Sequence, residues 1–370
     1  MSNKRTYYSE TTFWKDIKAS DADIKILLSD RDCGKSFAVK ELFLDNLKED
    51  KRFVYLRRND LETKTGVSTD YFADKKLVRK IKDMAYDGIT DVRGEIYLGH
   101  WDPEGKRKTM IPESFAGFIC ALVSERYYKS LSKYSESNVT DIVYEEFITD
   151  GLYLKDEPAK LESLWSTFKR DGHVNIWLIG NTMSRVCPYF LHWGLRGVPR
   201  QRPGTIDRYV HRVELDGGES EEIKIDVQVI PDLQGQGYGW FSKKKDKGTG
   251  WVTGTWPHLT KRLSEYDQLH TVFVNGDMYK FRLLLLSDPE TQALFWYVEP
   301  FTKTIAEDAR IVATSYSLIQ GRQYGTVGFR PLVPEEKSVF DLLKAGHWVV
   351  SDNLCGDDFN VLMTNMARMK

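Results

Sequence analysis

Ser29-Asp30-Arg31-Asp32-Cys33-Gly34-Lys35-Ser36 decides the fold. An apolar run, Ile24-Lys25-Ile26-Leu27-Leu28, leads into it, and Val39, Leu42, Phe43 and Leu47 recur behind it at helical spacing. Strand, loop with Gly-Lys-Ser, then helix is the order of a phosphate-binding P-loop. Backbone N–H groups of such a loop point at phosphate oxygens, and the new helix adds the positive end of its dipole. In this reading Lys35 reaches the β- and γ-phosphates of ATP and Ser36 ligates Mg²⁺. Ser29 stands where the usual pattern has its first glycine. The expected nucleotide-binding set is Ser29, Asp30, Arg31, Asp32, Cys33, Gly34, Lys35 and Ser36, with Arg57 from the next strand.

A P-loop needs a partner strand that ends in acids. Asp141-Ile142-Val143-Tyr144-Glu145-Glu146-Phe147 has that form. Its apolar residues carry the chain through a sheet, and two carboxylates emerge at the end. The first, Glu145, is placed to orient the Mg²⁺ water shell, and the second, Glu146, to polarise an attacking water. P-loop kinases usually lack the second acid because their acceptor is not water, so the pair favours hydrolysis.

Three other positions admit two readings each. Val174–Gly180 ends in Asn181-Thr182, where Asn181 either senses the γ-phosphate or attacking water or simply closes the strand. Arg57 and Arg58 end the strand after the P-loop helix; one of them holds Glu146 by a charge-assisted bond, or both are solvated. Lys169 and Arg170 follow a helical pattern and are either a finger acting in trans within a ring or part of a helix surface.

The first part of the chain alternates strand candidates (24–28, 53–56, 115–123, 141–144, 174–179) with helix candidates (36–47, 75–84, 161–170). Continuous apolar strands with helices between them predict an α/β domain with a mostly parallel sheet covered on both faces. An alternating run over 222–230 closes it. Residues 231–257 are rich in Gly, Lys and Trp and read as a linker or small module. Alternating runs over 270–275, 279–286 and 293–298, with Asn275-Gly276-Asp277 as a turn, predict a hairpin-built sheet, with helices near 338–345 and 357–368. The expected domains are 1–232, a linker module over 233–265, and 266–370.

Net charge is −1, so no global charge announces nucleic acid, and any such binding falls to local patches. Candidates are Lys64, Lys129, Lys133 and the cluster Lys243–Lys247; contacts of this kind grip phosphates without reading sequence and so suit sliding. The four cysteines have neither metal nor disulfide spacing, which suits a reducing compartment. The start of the chain is polar, and its apolar runs are too short to span a bilayer. No membrane association is expected.

In five segments taken in order, the chain resembles the DNA-packaging ATPases of small tailed phages with short protein-primed genomes, terminase-like motors of the additional-strand P-loop class. The segments are Ser29–Lys40, Phe53–Arg58, Val139–Ile148, Ile179–Thr182 with Pro188–Leu191, and the strand ending Ile230-Pro231-Asp232. The resemblance implies ATP-driven movement of double-stranded DNA into a preformed procapsid. It implies a homo-oligomeric ring, a pentamer, docked on the portal (connector) protein in the host cytoplasm, and it admits a structural packaging RNA as a further partner. Within it Glu146 is the catalytic glutamate, Arg31 supports nucleotide handling and Asn181 sits in a coupling motif. The trans finger falls at Lys169 or Arg170, and a second trans lysine near Lys133. It further implies a smaller α+β, RNase-H-like C-terminal domain that is a vestigial nuclease; nuclease activity is not expected. The alternatives are a P-loop helicase or other nucleic-acid translocase, a P-loop kinase, and a nucleotide-gated structural protein.

Overall fold

The computed structural model describes residues 7–29, 33–60, 66–104, 109–129, 134, 137–149, 152–169, 172–181, 187–214, 220–231, 233, 256–275, 280–306, 309, 311–315, 327–329, 341–343 and 345–366. The chain forms two compact units. The first comprises Met1–Phe147, Leu154–Asn181 and Arg200–Trp240, and the second Ile148–Tyr153, Thr182–Pro199 and Phe241–Lys370. The segments 148–153 and 182–199, within the span expected for the first domain, thus group with the second unit. Of the expected linker 233–265, residues 234–255 lie outside the described residues. Trp256 packs on the second unit's core, its ring stacked on Trp348 at 4.9 Å.

Helix α1 (Thr12–Ala19) opens the first unit; its N-cap Thr11 accepts a hydrogen bond from Trp14 N at 3.2 Å. The P-loop strand β1 (Ile24–Ser29) is buried at every position, as a central strand covered on both faces must be. Helix α2 (Lys35–Leu47) follows the loop, then β2 (Arg52–Arg57), the short α3 (Val67–Tyr71) and α4 (Lys75–Asp83). Three strands, β3 (Gly88–Val92), β4 (Glu95–Trp101) and β5 (Met110–Ala121), lead to α5 (Glu125–Lys129) and the acidic strand β6 (Val139–Glu145). Helix α6 (Glu157–Phe168), β7 (Asn175–Asn181) and the hairpin of β8 (Thr205–Glu214) and β9 (Ser220–Val229) complete the unit.

These strands form one nine-stranded sheet in the order β3-β4-β5-β2-β6-β7-β1-β9-β8. Pairing is parallel from β5 to β9 and antiparallel at both edges. β7 lies between the P-loop strand β1 and the acidic strand β6, the inserted strand that defines the additional-strand class. The register sets Ser29 beside Asn181 and Glu145 beside Ile179. Ser29, Asn181, Glu145 and Arg57 therefore end four neighbouring parallel strands at the carboxyl edge, where open α/β sheets bind ligands. Aromatic packing fixes helices to this sheet, as where Phe43 of α2 stacks on Phe53 of β2 at 4.7 Å. Asp141, at the opposite end of β6 from the site, is buried and satisfied by Trp177 Nε1 at 2.8 Å and Asn46 Nδ2 at 2.9 Å.

Gly117 is a requirement of close approach. It pairs with Phe53 across β5 and β2, at φ 154°, and a Cβ there would lie 1.9 Å from the Phe53 carbonyl oxygen. Backbone cannot yield as a side-chain tip can. Gly117→Ala is expected to destabilise the first unit by about 3 kcal/mol or more, at the upper end of overpacking effects. A thermal melt reads this directly, and an unchanged midpoint would contradict the tight β5–β2 contact.

The second unit contains α7 (Pro188–His192) and a six-stranded sheet. Its strands are β10 (Asp267–Asn275), β11 (Lys280–Ser287), β12 (Leu294–Pro300), β13 (Ile311–Ser315), β14 (Val327–Phe329) and β15 (Trp348–Val350), in the order β14-β13-β10-β11-β12-β15. β10, β11 and β12 form an antiparallel meander and β13 joins β10 in parallel, the senses expected of the first four strands of an RNase-H-like sheet. β14 runs antiparallel to β13, a departure from that pattern, and β15 runs parallel to β12. The turn expected at 275–277 falls where β10 meets β11, and residues 276–279 lie outside the described residues. A C-terminal helix, Asn353–Met366, places Cys355, Phe359 and Leu362 in the core of this unit with Trp296 and Val298. No described helix in either unit is long and apolar enough to cross a membrane. All four cysteines are free thiols.

Candidate nucleotide site

Gly34 is the N-cap of α2 with φ +86°. A Cβ there would make only ordinary contact, 3.7 Å from Tyr8 Cβ, so glycine is needed for the left-handed backbone and not for space. Lys35 opens the helix with its side chain buried. Its Nζ donates to Ser29 Oγ at 3.0 Å and to Asn181 Oδ1 at 2.8 Å. The P-loop lysine thus joins the ends of β1 and β7. Ser36 is half-buried on the first turn of α2. Cys33 is half-buried, and Asp30, Arg31 and Asp32 lie outside the described residues.

Glu145 ends β6 and accepts a bond from Tyr71 OH at 3.4 Å. Lys40 sits over the Tyr71 ring, 3.8 Å from its centroid. Burial pushes the Lys40 ammonium below its ordinary pKa, and the Glu145 carboxylate opposes that shift. Burial pushes the Tyr71 phenol well up, and the charge of Glu145 adds to the effect. Neither Lys40 nor Tyr71 stands out in the sequence. Lys40 lies one helical turn beyond Ser36, spacing that puts both on one helix face; Tyr71 carries no such signal.

Glu146 leaves the strand in a left-handed conformation, φ 58°. Its N–H donates to Ile179 O at 2.9 Å. Its carboxylate, largely exposed, meets Arg57 Nη2 at 3.2 Å. Of the two arginines at the end of β2, Arg57 is the one that reaches the Glu146 carboxylate. Arg58 is buried and paired with Glu157. Arg57 also donates to Tyr55 OH at 3.3 Å.

The structure thus brings together Ser29, Lys35, Asn181, Glu145, Glu146 and Arg57, with Gly34 and Ser36 at the head of α2. Lys169 is elsewhere: its Nζ pairs with Glu221 and lies over the Trp165 ring at 4.4 Å. Lys133 and Arg170 lie outside the described residues, as do Lys64 and Lys243–Lys247.

The inserted strand, the P-loop at its neighbour's end and the paired acids define a P-loop NTPase of the additional-strand class. Residues 3–203, more than half of the chain, match the family described as Podovirus DNA encapsidation protein (Gp16), and the chain belongs to that family. DNA packaging is its function. Among solved structures the chain is similar to the Phi-28 gp11 DNA packaging motor, at 15% identity over 96% of this chain and 97% of that one, with a TM-score of 0.48. It is similar to the N-terminal domain of the DNA packaging ATPase from bacteriophage phi29, at 22% identity over 60% and 96%, with a TM-score of 0.43. It is also similar to the bacteriophage Phi-29 viral genome packaging motor assembly, at 16% identity over 92% and 94%, with a TM-score of 0.47. No curated protein sequence matches it.

Proposed function

We propose that this chain hydrolyses Mg²⁺-bound ATP at the carboxyl edge of its parallel sheet and uses the cycle to drive double-stranded DNA into a procapsid. The reading rests above all on one observation: Lys35 is shared between Ser29 and Asn181 on the sheet edge where Arg57 holds Glu146. The P-loop from Ser29 to Ser36 and the N-terminus of α2 receive the phosphates. The Ser36 hydroxyl and the Glu145 carboxylate are hard oxygen donors that suit Mg²⁺ with its water shell. When bound, Mg²⁺ offsets charge on the phosphates. Glu146, once released by Arg57, orients and deprotonates the attacking water. A γ-phosphate that takes the Lys35 ammonium takes it from Asn181. Asn181 thereby changes partner with nucleotide state, as a coupling residue must.

The motor is a homo-oligomeric ring, a pentamer, on the portal protein at the procapsid vertex in the host cytoplasm, with a structural RNA as a candidate scaffold. Lys169 or Arg170, and Lys133, act in trans on the neighbouring subunit's nucleotide. For Lys169 this requires release from Glu221. The C-terminal unit acts as an adaptor and not as a nuclease. In support, β13, the parallel neighbour of β10, reads Ile-Val-Ala-Thr-Ser and has no carboxylate to hold a metal. Steady-state ATP hydrolysis with and without double-stranded DNA and procapsids tests the proposal. Turnover stimulated by both is expected, and turnover indifferent to both would overturn it.

A further inference from the structure

Arg58 and Glu157 are 99 positions apart in the chain and meet as a buried pair. Arg58 Nε donates to Glu157 Oε2 at 3.0 Å and Nη2 to Oε1 at 3.1 Å. Glu157 also accepts Tyr144 OH at 2.8 Å and Leu154 N at 2.7 Å. The far side of the same guanidinium grips backbone. Nη2 donates to Phe147 O at 2.9 Å, and Nη1 and Nη2 reach Glu146 O at 3.3 Å. Glu146 holds a left-handed conformation that a residue with a Cβ adopts only when its surroundings impose it. Buried ion pairs seldom add stability over apolar side chains of the same size, so stability alone does not account for this one. Its geometry does: a planar fork fixed on one side by a carboxylate presents its other N–H groups to two successive carbonyls.

From this we infer that the Arg58–Glu157 pair is the positioning device for Glu146. It sets the turn from which the Glu146 carboxylate reaches its water, while Arg57 holds that carboxylate. Two adjacent arginines thus divide the work, one on the side chain and one on the backbone. The inference rests on the reading of Glu146 as the water-orienting residue.

The test is full-length Arg58→Lys assayed with DNA and procapsids. A lysine keeps the charge and loses the fork. Turnover at saturating ATP is expected to fall about 10- to 100-fold, the scale of a misplaced reacting group. The ATP dissociation constant, measured by equilibrium binding, should stay within about threefold, as for a group that acts only on the chemical step. In a Glu146→Gln background the same change should alter residual turnover by less than about threefold, because the two residues act as one unit. Unchanged turnover in Arg58→Lys, or the same fold-loss in both backgrounds, overturns the inference. Glu146→Gln with wild-type turnover overturns the underlying reading, and the inference with it. Should Arg58→Lys fail to fold, Tyr144→Phe decides the matter. It removes one partner of Glu157, and turnover should fall about threefold with ATP affinity held, the effect of one lost hydrogen bond; unchanged turnover overturns the inference.

Discussion

Glu146→Gln is expected to bind ATP with near wild-type affinity and to hydrolyse it about 10²- to 10⁴-fold more slowly, the range for loss of a general base. That corresponds to roughly 3 to 5 kcal/mol of transition-state stabilisation. The amide keeps the size of the side chain and can still accept a bond from Arg57, but it cannot take a proton. The fold should not register the change. The Arg57–Glu146 pair is solvent-exposed on the glutamate side, and such pairs contribute little to stability. The turn itself is held through backbone, by Ile179 O and by Arg58. Single-turnover kinetics with parallel binding measurements check this. Turnover within about threefold of wild type, well outside the general-base range, would move the catalytic role to another residue.

Lys35→Ala should abolish useful ATP binding while leaving the protein folded. Removing one charged partner from a buried, hydrogen-bonded charge pair costs about 2 to 5 kcal/mol, a loss of roughly 30-fold to several thousand-fold in affinity. In the structure the Lys35 ammonium spans Ser29 and Asn181, both neutral side chains, so its removal leaves no buried charge unpaired at either. The expected signature is therefore a lost binding isotherm with an intact circular-dichroism spectrum. Wild-type affinity in the variant would contradict the assignment of the phosphate site to the loop before α2.

The parts of this design legible in the sequence are those encoded locally. β1, β6 and β7 announce themselves as continuous apolar runs, because central parallel strands are buried on both faces. Gly34-Lys35-Ser36 marks the loop, and Glu145-Glu146 marks the end of the acidic strand. Other elements carry weaker signals. β5 starts at Met110, but its first half is largely exposed and only the later half reads as apolar. α6 begins at Glu157, four residues before the periodicity becomes visible at Leu161, because its first turn carries a buried glutamate and a proline. The β3–β4 hairpin turns through Arg93 and Gly94, both at positive φ, without the Asn-Gly or Asp-Gly pair that usually marks such a turn. The contacts that orient the site are less legible still. Arg58 with Glu157, Lys35 with Asn181 and Tyr71 with Glu145 join residues far apart in the chain, and register across the sheet, not local pattern, brings them together.

The most direct test of the whole account is protection of DNA from added nuclease by procapsids, measured against ATP with wild-type protein and with Lys35→Ala. DNA protected only by the wild-type chain, and only with ATP, is the predicted result. Equal protection by Lys35→Ala, or protection without ATP, would contradict a packaging motor driven from this site.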